Sequence, residues 1–166
     1  MMQLYLIRHG IAVDRDDPRC PPDTERPLTP KGIKRSRASA LGLRALEVKP
    51  NAVLTSPWLR ALQTAEIFCA ALRYPAKKII RTDALKGTSA PSDLLRELQL
   101  MKAKVVLCFG HEPQLHLVIG HVLRTSAKIT ELKKAGVALL EIERAAPAQG
   151  RLIALYPAST LRLLAK

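Results

Sequence analysis

Apolar runs alternate with stretches of helical period along most of the chain. Gln3 to Ile7 is a short apolar run bounded by Gly10, the pattern of a buried strand. Asn51 to Thr55, Val105 to Phe109, Ala135 to Ile142 and Arg151 to Tyr156 repeat it, Lys78 to Arg81 is a shorter candidate, and a turn is expected near Gly150. Thr29-Pro30 reads as an N-cap with proline at the first helical position. It predicts a helix to about Leu46 with Ile33, Arg37, Ala40 and Leu41 near one face. Ser56-Pro57 is a second such pair, before a helix to about Leu72 with Leu59, Leu62, Ala65, Cys69 and Leu72 at helical spacing. Ser92 to about Met101 and Pro113 to Leu123 complete the helices. Residues 12–28, with several Asp and Pro, and residues 82–91, rich in Gly, Ser, Thr and Pro, lack periodicity and read as loops.

Strands alternating with helices predict an α/β fold, with a mainly parallel central sheet flanked by helices on both faces. The 166 residues fit one domain, 1–166, without repeats, low-complexity segments or a linker. Aromatics are only 4% of residues, so the core is expected to be Leu, Ala, Ile and Val. The start, MMQLYLIRHG, lacks the features of a secretory signal, and no apolar run reaches the length of a membrane span. Cys20, Cys69 and Cys108 form no CxxC and no even framework. Reduced thiols and a cytoplasmic location are therefore expected, with Cys69 and Cys108 as packing residues.

Charge narrows the partners. The formal net charge is +13, from 27 basic and 14 acidic residues, which favours nucleic acid, anionic membrane, phosphorylated molecules or acidic proteins. The basic residues are dispersed, with no run of five like charges, so charge alone does not choose among these and also fits a solvated surface.

Ligands of open α/β sheets bind beyond the carboxyl ends of the strands. Arg8 and His9 close the first strand, Arg60 lies in the first turn of the helix after the second, and His111 follows the Val105 strand. Two guanidiniums and two imidazoles at one sheet edge suit a phosphoryl group, because arginine is always charged and binds phosphate oxygens bidentately. Helix N-termini expected at Pro57 and Pro113 would add N–H donors. A neutral histidine is a competent nucleophile near neutral pH, and Gly10 allows a close backbone approach. His111, His116 and His121 are spaced by five, about 140° apart per step on a helix. They cannot share a face, so His116 and His121 read as structural and no metal is expected.

Leu6-Ile7-Arg8-His9-Gly10 resembles the RHG signature of the histidine phosphatase superfamily. Ser56-Pro57-Trp58-Leu59-Arg60-Ala61-Leu62-Gln63-Thr64-Ala65-Glu66 resembles its SPxxRAxQTAE segment, and Gly110-His111 its late histidine. Arg26-Pro27-Leu28-Thr29-Pro30-Lys31-Gly32 is similar to the RPLTxxG stretch of the small members. The short chain matches the compact branch, the phosphohistidine phosphatases of the SixA type. The resemblance implies a phosphoglycerate mutase-like fold without large insertions and transient phosphorylation of His9. It also implies that Arg8, Arg60 and His111 hold the phosphoryl oxygens, with Arg26 at the same pocket. No cofactor is implied.

One departure stands out. Many relatives carry a glutamate acid in the segment matching residues 82–92, but this chain has no Glu between Glu66 and Glu97, and Asp83 is the nearest carboxylate. An alkoxide leaving group needs a positioned acid, whereas an imidazole, with a conjugate acid of pKa about 6.5, leaves with less help. Hydrolysis of phosphohistidine on a protein is therefore the expected activity. Its substrate would be a phosphorylated protein, such as a phosphohistidine-bearing signalling domain, or else a small phosphorylated molecule, with membrane and nucleic acid disfavoured. A general phosphomonoesterase is one alternative. A non-catalytic basic protein binding phosphate or nucleic acid is another, and a nucleophile beside two arginines speaks against it.

Overall fold

The computed structural model describes residues 1–165. Six strands, β1 (Met2–Arg8), β2 (Ala52–Thr55), β3 (Ile80–Arg81), β4 (Val105–Gly110), β5 (Val137–Ala145) and β6 (Ala148–Tyr156), form one sheet in the order β3-β2-β4-β1-β5-β6. The strands β3, β2, β4 and β1 pair in parallel, and β5 is antiparallel to both its neighbours. Helices α1 (Pro30–Ala45), α2 (Leu59–Leu72), α3 (Pro91–Gln99), α4 (Gln114–Val122) and α5 (Ala158–Leu164) cover its two faces. The fold is thus the expected α/β sandwich with a mainly parallel sheet.

Alternation along the buried strands separates two cores. Leu4, Leu6, Leu54, Val106 and Cys108 meet α3 and α4 through Leu94, Leu98, Leu115 and Ile119. Tyr5, Ile7, Val53, Leu107 and Phe109 meet α1, α2 and α5 through Leu43, Phe68, Cys69 and Leu161. Phe68 and Phe109 pack edge to face at 5.3 Å, worth about 0.5–1.5 kcal/mol beyond area burial. That contact ties α2, which carries Arg60, to the strand that delivers His111.

Several local expectations are corrected. Thr29 does cap α1, accepting from Gly32 N at 3.0 Å, with Pro30 at the helix start. The inner face of α1, however, is Gly32, Ser36, Ser39, Ala40 and Leu43, while Ile33 is exposed. Close approach is the reason. A Cβ at Gly32 would stand 2.0 Å from Ile11 O, and one at Gly42 2.0 Å from Leu161 O, so bulky residues cannot face inward there. Pro57 is not a first helical residue. Trp58 keeps an extended backbone and α2 begins at Leu59. Pro113 likewise stands just before α4. The turn expected near Gly150 falls instead at Ala146-Pro147, between β5 and β6, and Gly150 pairs with Ile142 inside the hairpin. The short helix α5 was not anticipated, because seven residues hold too little periodic signal.

Candidate active site

β1 and β4 are neighbours, and His9 N donates to Gly110 O at 3.1 Å just past their ends. That pairing sets His9 and His111 side by side, ring centroids 4.9 Å apart, and both are buried. β2 flanks β4 on the other side, and Ser56 N continues the ladder onto Phe109 O at 2.9 Å. One turn later α2 projects Arg60 inward, its side chain only 2% exposed. Arg8, His9, Arg60 and His111 line one open cleft of about 600 Å³ at the carboxyl edge of the parallel strands.

The tautomer of His9 follows from its partner. Nδ1 lies 2.7 Å from Gly10 O, and a carbonyl only accepts, so Nδ1 carries the proton. Nε2 then presents its lone pair. Arg60 Nε and Lys134 Nζ each stand 3.3 Å from Nε2. Gly10 is itself fixed: its N–H donates to Thr64 Oγ1 at 2.9 Å, and that hydroxyl donates to Arg60 O at 2.7 Å. One residue of α2 thereby holds the turn that orients the histidine.

Electrostatics keep both imidazoles neutral. Burial, then the charge of Lys134 and the neighbouring His111, hold His9 far below the usual imidazole range, with the Gly10 carbonyl pulling the other way. Burial, followed by Arg60 and Lys134, lowers His111 to about 3. His111 Nε2 shares a 2.9 Å hydrogen bond with Ser56 Oγ, and its ring packs on Trp58 at 4.6 Å. Trp58 also receives the Arg60 guanidinium at 4.8 Å.

The cations are held from outside. Arg8 donates through Nη1 to Leu132 O at 2.6 Å. The end of Arg60 meets Asp23, donating to its backbone carbonyl and, at 3.3 Å, to Oδ2. Asp23 Oδ1 also accepts from Arg26 Nε at 2.9 Å and pairs with Arg15 Nε at 3.0 Å. Burial opposes ionisation of Asp23, yet Arg60, Arg26 and Arg15 hold its carboxyl below the ordinary range. Asp23 thus offsets part of the charge of the buried Arg60 guanidinium. Arg26 is buried, reaches Val13 O at 2.7 Å, and lines the cleft.

Asp83 is corrected. Its side chain is 78% exposed, pairs with Lys86 at 2.9 Å, and lies outside the cleft lining. Gly87 and Thr88 of the same loop reach the cleft instead. The lining carboxylates are Asp14, Asp16 and Glu112. Glu112 is committed: Oε2 accepts from His116 N at 3.1 Å and pairs with His116 Nδ1 at 3.0 Å, and Oε1 accepts from Leu132 N at 2.9 Å. His116 thus serves Glu112, and His121 is exposed on α4. Among the described residues no group of three or more His, Cys, Asp or Glu is placed to hold a metal ion, and no helix is long and apolar enough to cross a membrane.

A sequence profile described as the histidine phosphatase superfamily (branch 1) matches residues 4–89. The chain belongs to this superfamily. An uncharacterised protein of Picosynechococcus is 42% identical over 139 residues, 82% of each chain. The phosphohistidine phosphatase SixA of Escherichia coli is 42% identical over 66 residues, 39% of this chain and 38% of that protein. The solved structure of the protein histidine phosphatase SixA complexed with tungstate superposes with a TM-score of 0.83 at 25% identity, covering 96% of this chain and 99% of that one. Within this histidine phosphatase, sequence reasoning missed Ser56, Asp23 and Lys134. Lys134 had one legible cue. It stands just before β5, and a strand antiparallel to β1 begins where β1 ends, as Ala135 N bonding Arg8 O at 3.1 Å shows.

Proposed function

We propose that the protein is a phosphohistidine phosphatase in which His9 Nε2 is the nucleophile. The observation that carries this is the His9 environment: a proton pinned on Nδ1 by Gly10 O, and a lone pair on Nε2 facing two cations at 3.3 Å. A bound phosphoryl group would take the place of Nε2 as the partner of those cations. Arg8, Arg60, His111 and Lys134 would then surround the equatorial oxygens, where charge is carried in the transition state. Arg26, one step further out, would steady the Asp23 contact of Arg60.

In the first step the Nε2 lone pair attacks phosphorus and the phosphorus–nitrogen bond of the substrate breaks. The leaving imidazole keeps that electron pair and departs neutral, its other ring nitrogen carrying a proton from solvent. Phospho-His9 holds a positive ring that keeps its proton on Nδ1, where it still donates to Gly10 O. Water then attacks phosphorus, the bond to Nε2 breaks, the pair returns to Nε2, and phosphate leaves with the proton of the water going to solvent. No step requires an acid on the leaving group, which agrees with Asp83 lying outside the cleft and Glu112 being fully engaged. The tungstate held by the SixA structure is a tetrahedral oxyanion of phosphate-like shape, which supports an oxyanion site in this fold.

A second reading keeps the nucleophile and changes the substrate. Asp14 and Asp16, on the exposed 12–28 loop, line the cleft, and either could protonate an alkoxide of a small phosphate ester. Phosphate release from a phosphohistidine peptide and from the matching phosphoserine peptide separates the two. Phosphohistidine turnover far above phosphoserine turnover, abolished in His9→Ala, is the expected result. Comparable rates on both peptides, reduced by Asp14→Asn or Asp16→Asn on phosphoserine alone, would favour the esterase. Turnover retained in His9→Ala would remove the nucleophile from either reading.

A further inference from the structure

A second cavity of about 340 Å³ lies behind the catalytic cleft, between the end of β1, helix α1 and the start of α5. Arg35, Lys133, Lys134 and Arg162 line it, and no acidic residue does. None of the four makes an ion pair within 4 Å among the described residues. The other cleft cations differ, since Arg26 and Arg60 share Asp23 as an ion-pair partner and Arg8 lies beside Glu131 at 3.9 Å. Ser36, at the floor beside Gly10, is fully buried, and its hydroxyl has no hydrogen-bond partner. Lys134 belongs to both cavities, so the two are contiguous through one side chain.

Four uncompensated cations around a concave site repel one another and attract an anion, most strongly at low ionic strength. The position adds the constraint. A group seated here would lie next to the phosphoryl group in the cleft, because Lys134 lines both cavities.

We propose that this cavity is an anion subsite that binds a carboxylate flanking the phosphorylated residue of an acidic protein substrate, through Arg35, Lys133 and Arg162. The inference rests on the proposed phosphatase reading and adds the substrate class to it. A second phosphate on a small molecule has the same chemistry, and the test distinguishes the two sources.

The test is equilibrium binding in a His9→Ala background, which holds substrate without turnover. The probes are fluorescent phosphohistidine peptides flanked either by Asp or by Asn, and a sugar bisphosphate as competitor. The Asp-flanked peptide is expected to bind about tenfold more tightly at low salt, as two or three exposed ion pairs allow. Arg35→Ala/Arg162→Ala should abolish that preference and leave the Asn-flanked peptide unchanged, which also reports that the variant is folded. Lys133→Ala, which removes one exposed cation of the lining, should reduce the preference by a smaller factor. An equal preference in the double variant, or none in the parent, overturns the subsite. If the double variant weakens only the bisphosphate, the anion is a phosphate of a small molecule and the acidic-protein assignment is overturned. Wild-type turnover of the same peptides is scored separately, so a subsite without activity and activity without a subsite are distinct results.

Discussion

The cleft is built from two kinds of chain, and they do different work. His9 and His111 stand at the ends of neighbouring parallel strands, and Arg60 in the first turn of a helix pinned to one of them. His9 N extends the sheet ladder onto Gly110 O, and all three side chains are nearly closed to solvent. Asp23, Arg26 and Lys134 come from the 12–28 and 123–136 segments and reach inward from the rim. In the proposed reaction the strand ends and the start of α2 place the nucleophile and its immediate partners, while the loops bring further charges in from the rim. Substitutions at strand ends should therefore cost chemistry, and substitutions in loops should change pH dependence and affinity.

His9→Ala is the severest test of that division. It should lower phosphohistidine turnover by at least about 10³-fold, as loss of a nucleophile does, without a large loss of Tm in thermal unfolding. Arg60→Ala should lower kcat by about 10²–10³-fold in steady-state assays, because it removes charge stabilisation that grows toward the transition state. A smaller loss than that from any loop variant would break the comparison.

Lys134 sharpens it. Partial burial of its ammonium, then Arg8, Arg60, Arg26 and Arg15, bring Lys134 down to about 8. The charged form is the useful one, so activity should decline as pH rises through about 8. Lys134→Arg should keep its charge and retain activity to higher pH, whereas Lys134→Ala should lower kcat by about tenfold at pH 7, the scale of one lost charge contact. A pH profile unchanged in Lys134→Arg would show that Lys134 does not touch the reacting group.

Two smaller effects complete the series. His9 and His111 are lowered, so between about 6.5 and 3 the unfolded chain binds protons that the folded one refuses. Tm should fall as pH drops through that window, and His111→Gln should flatten the slope. Asp23→Asn should leave kcat largely intact and raise KM by about threefold to tenfold, the scale of one partly exposed hydrogen bond holding Arg60, about 0.5–1.5 kcal/mol.

The same division explains what the sequence disclosed. An apolar run ending in Arg8-His9-Gly10 marks a strand and its edge together, and Val105 to Gly110 does so for His111. Spacing from Ser56 to Arg60 carried the third. Ser56 reads as a helix cap because cap and site share a residue type, but its hydroxyl meets His111. Asp83 was the nearest carboxylate along the chain, yet distance along a loop says nothing about which side of it a side chain takes. Asp23 and Lys134 sit in aperiodic segments, where local pattern carries no record of a contact made 37 or 125 positions away. α1 misled in another way. Ile33 is exposed while Gly32, Ser36 and Ser39 are buried beside Ala40 and Leu43, because the packing there is set by backbone proximity at Gly32 and Gly42.

The contact between His9 Nδ1 and Gly10 O has a chemical consequence of its own. Histidine can be phosphorylated on either ring nitrogen, giving a pros or a tele isomer. With the pros nitrogen closed off by a backbone carbonyl, the proposed intermediate can form only as the tele isomer. An isomer-selective antibody, or the phosphorus chemical shift of protein quenched during turnover, would read that choice directly.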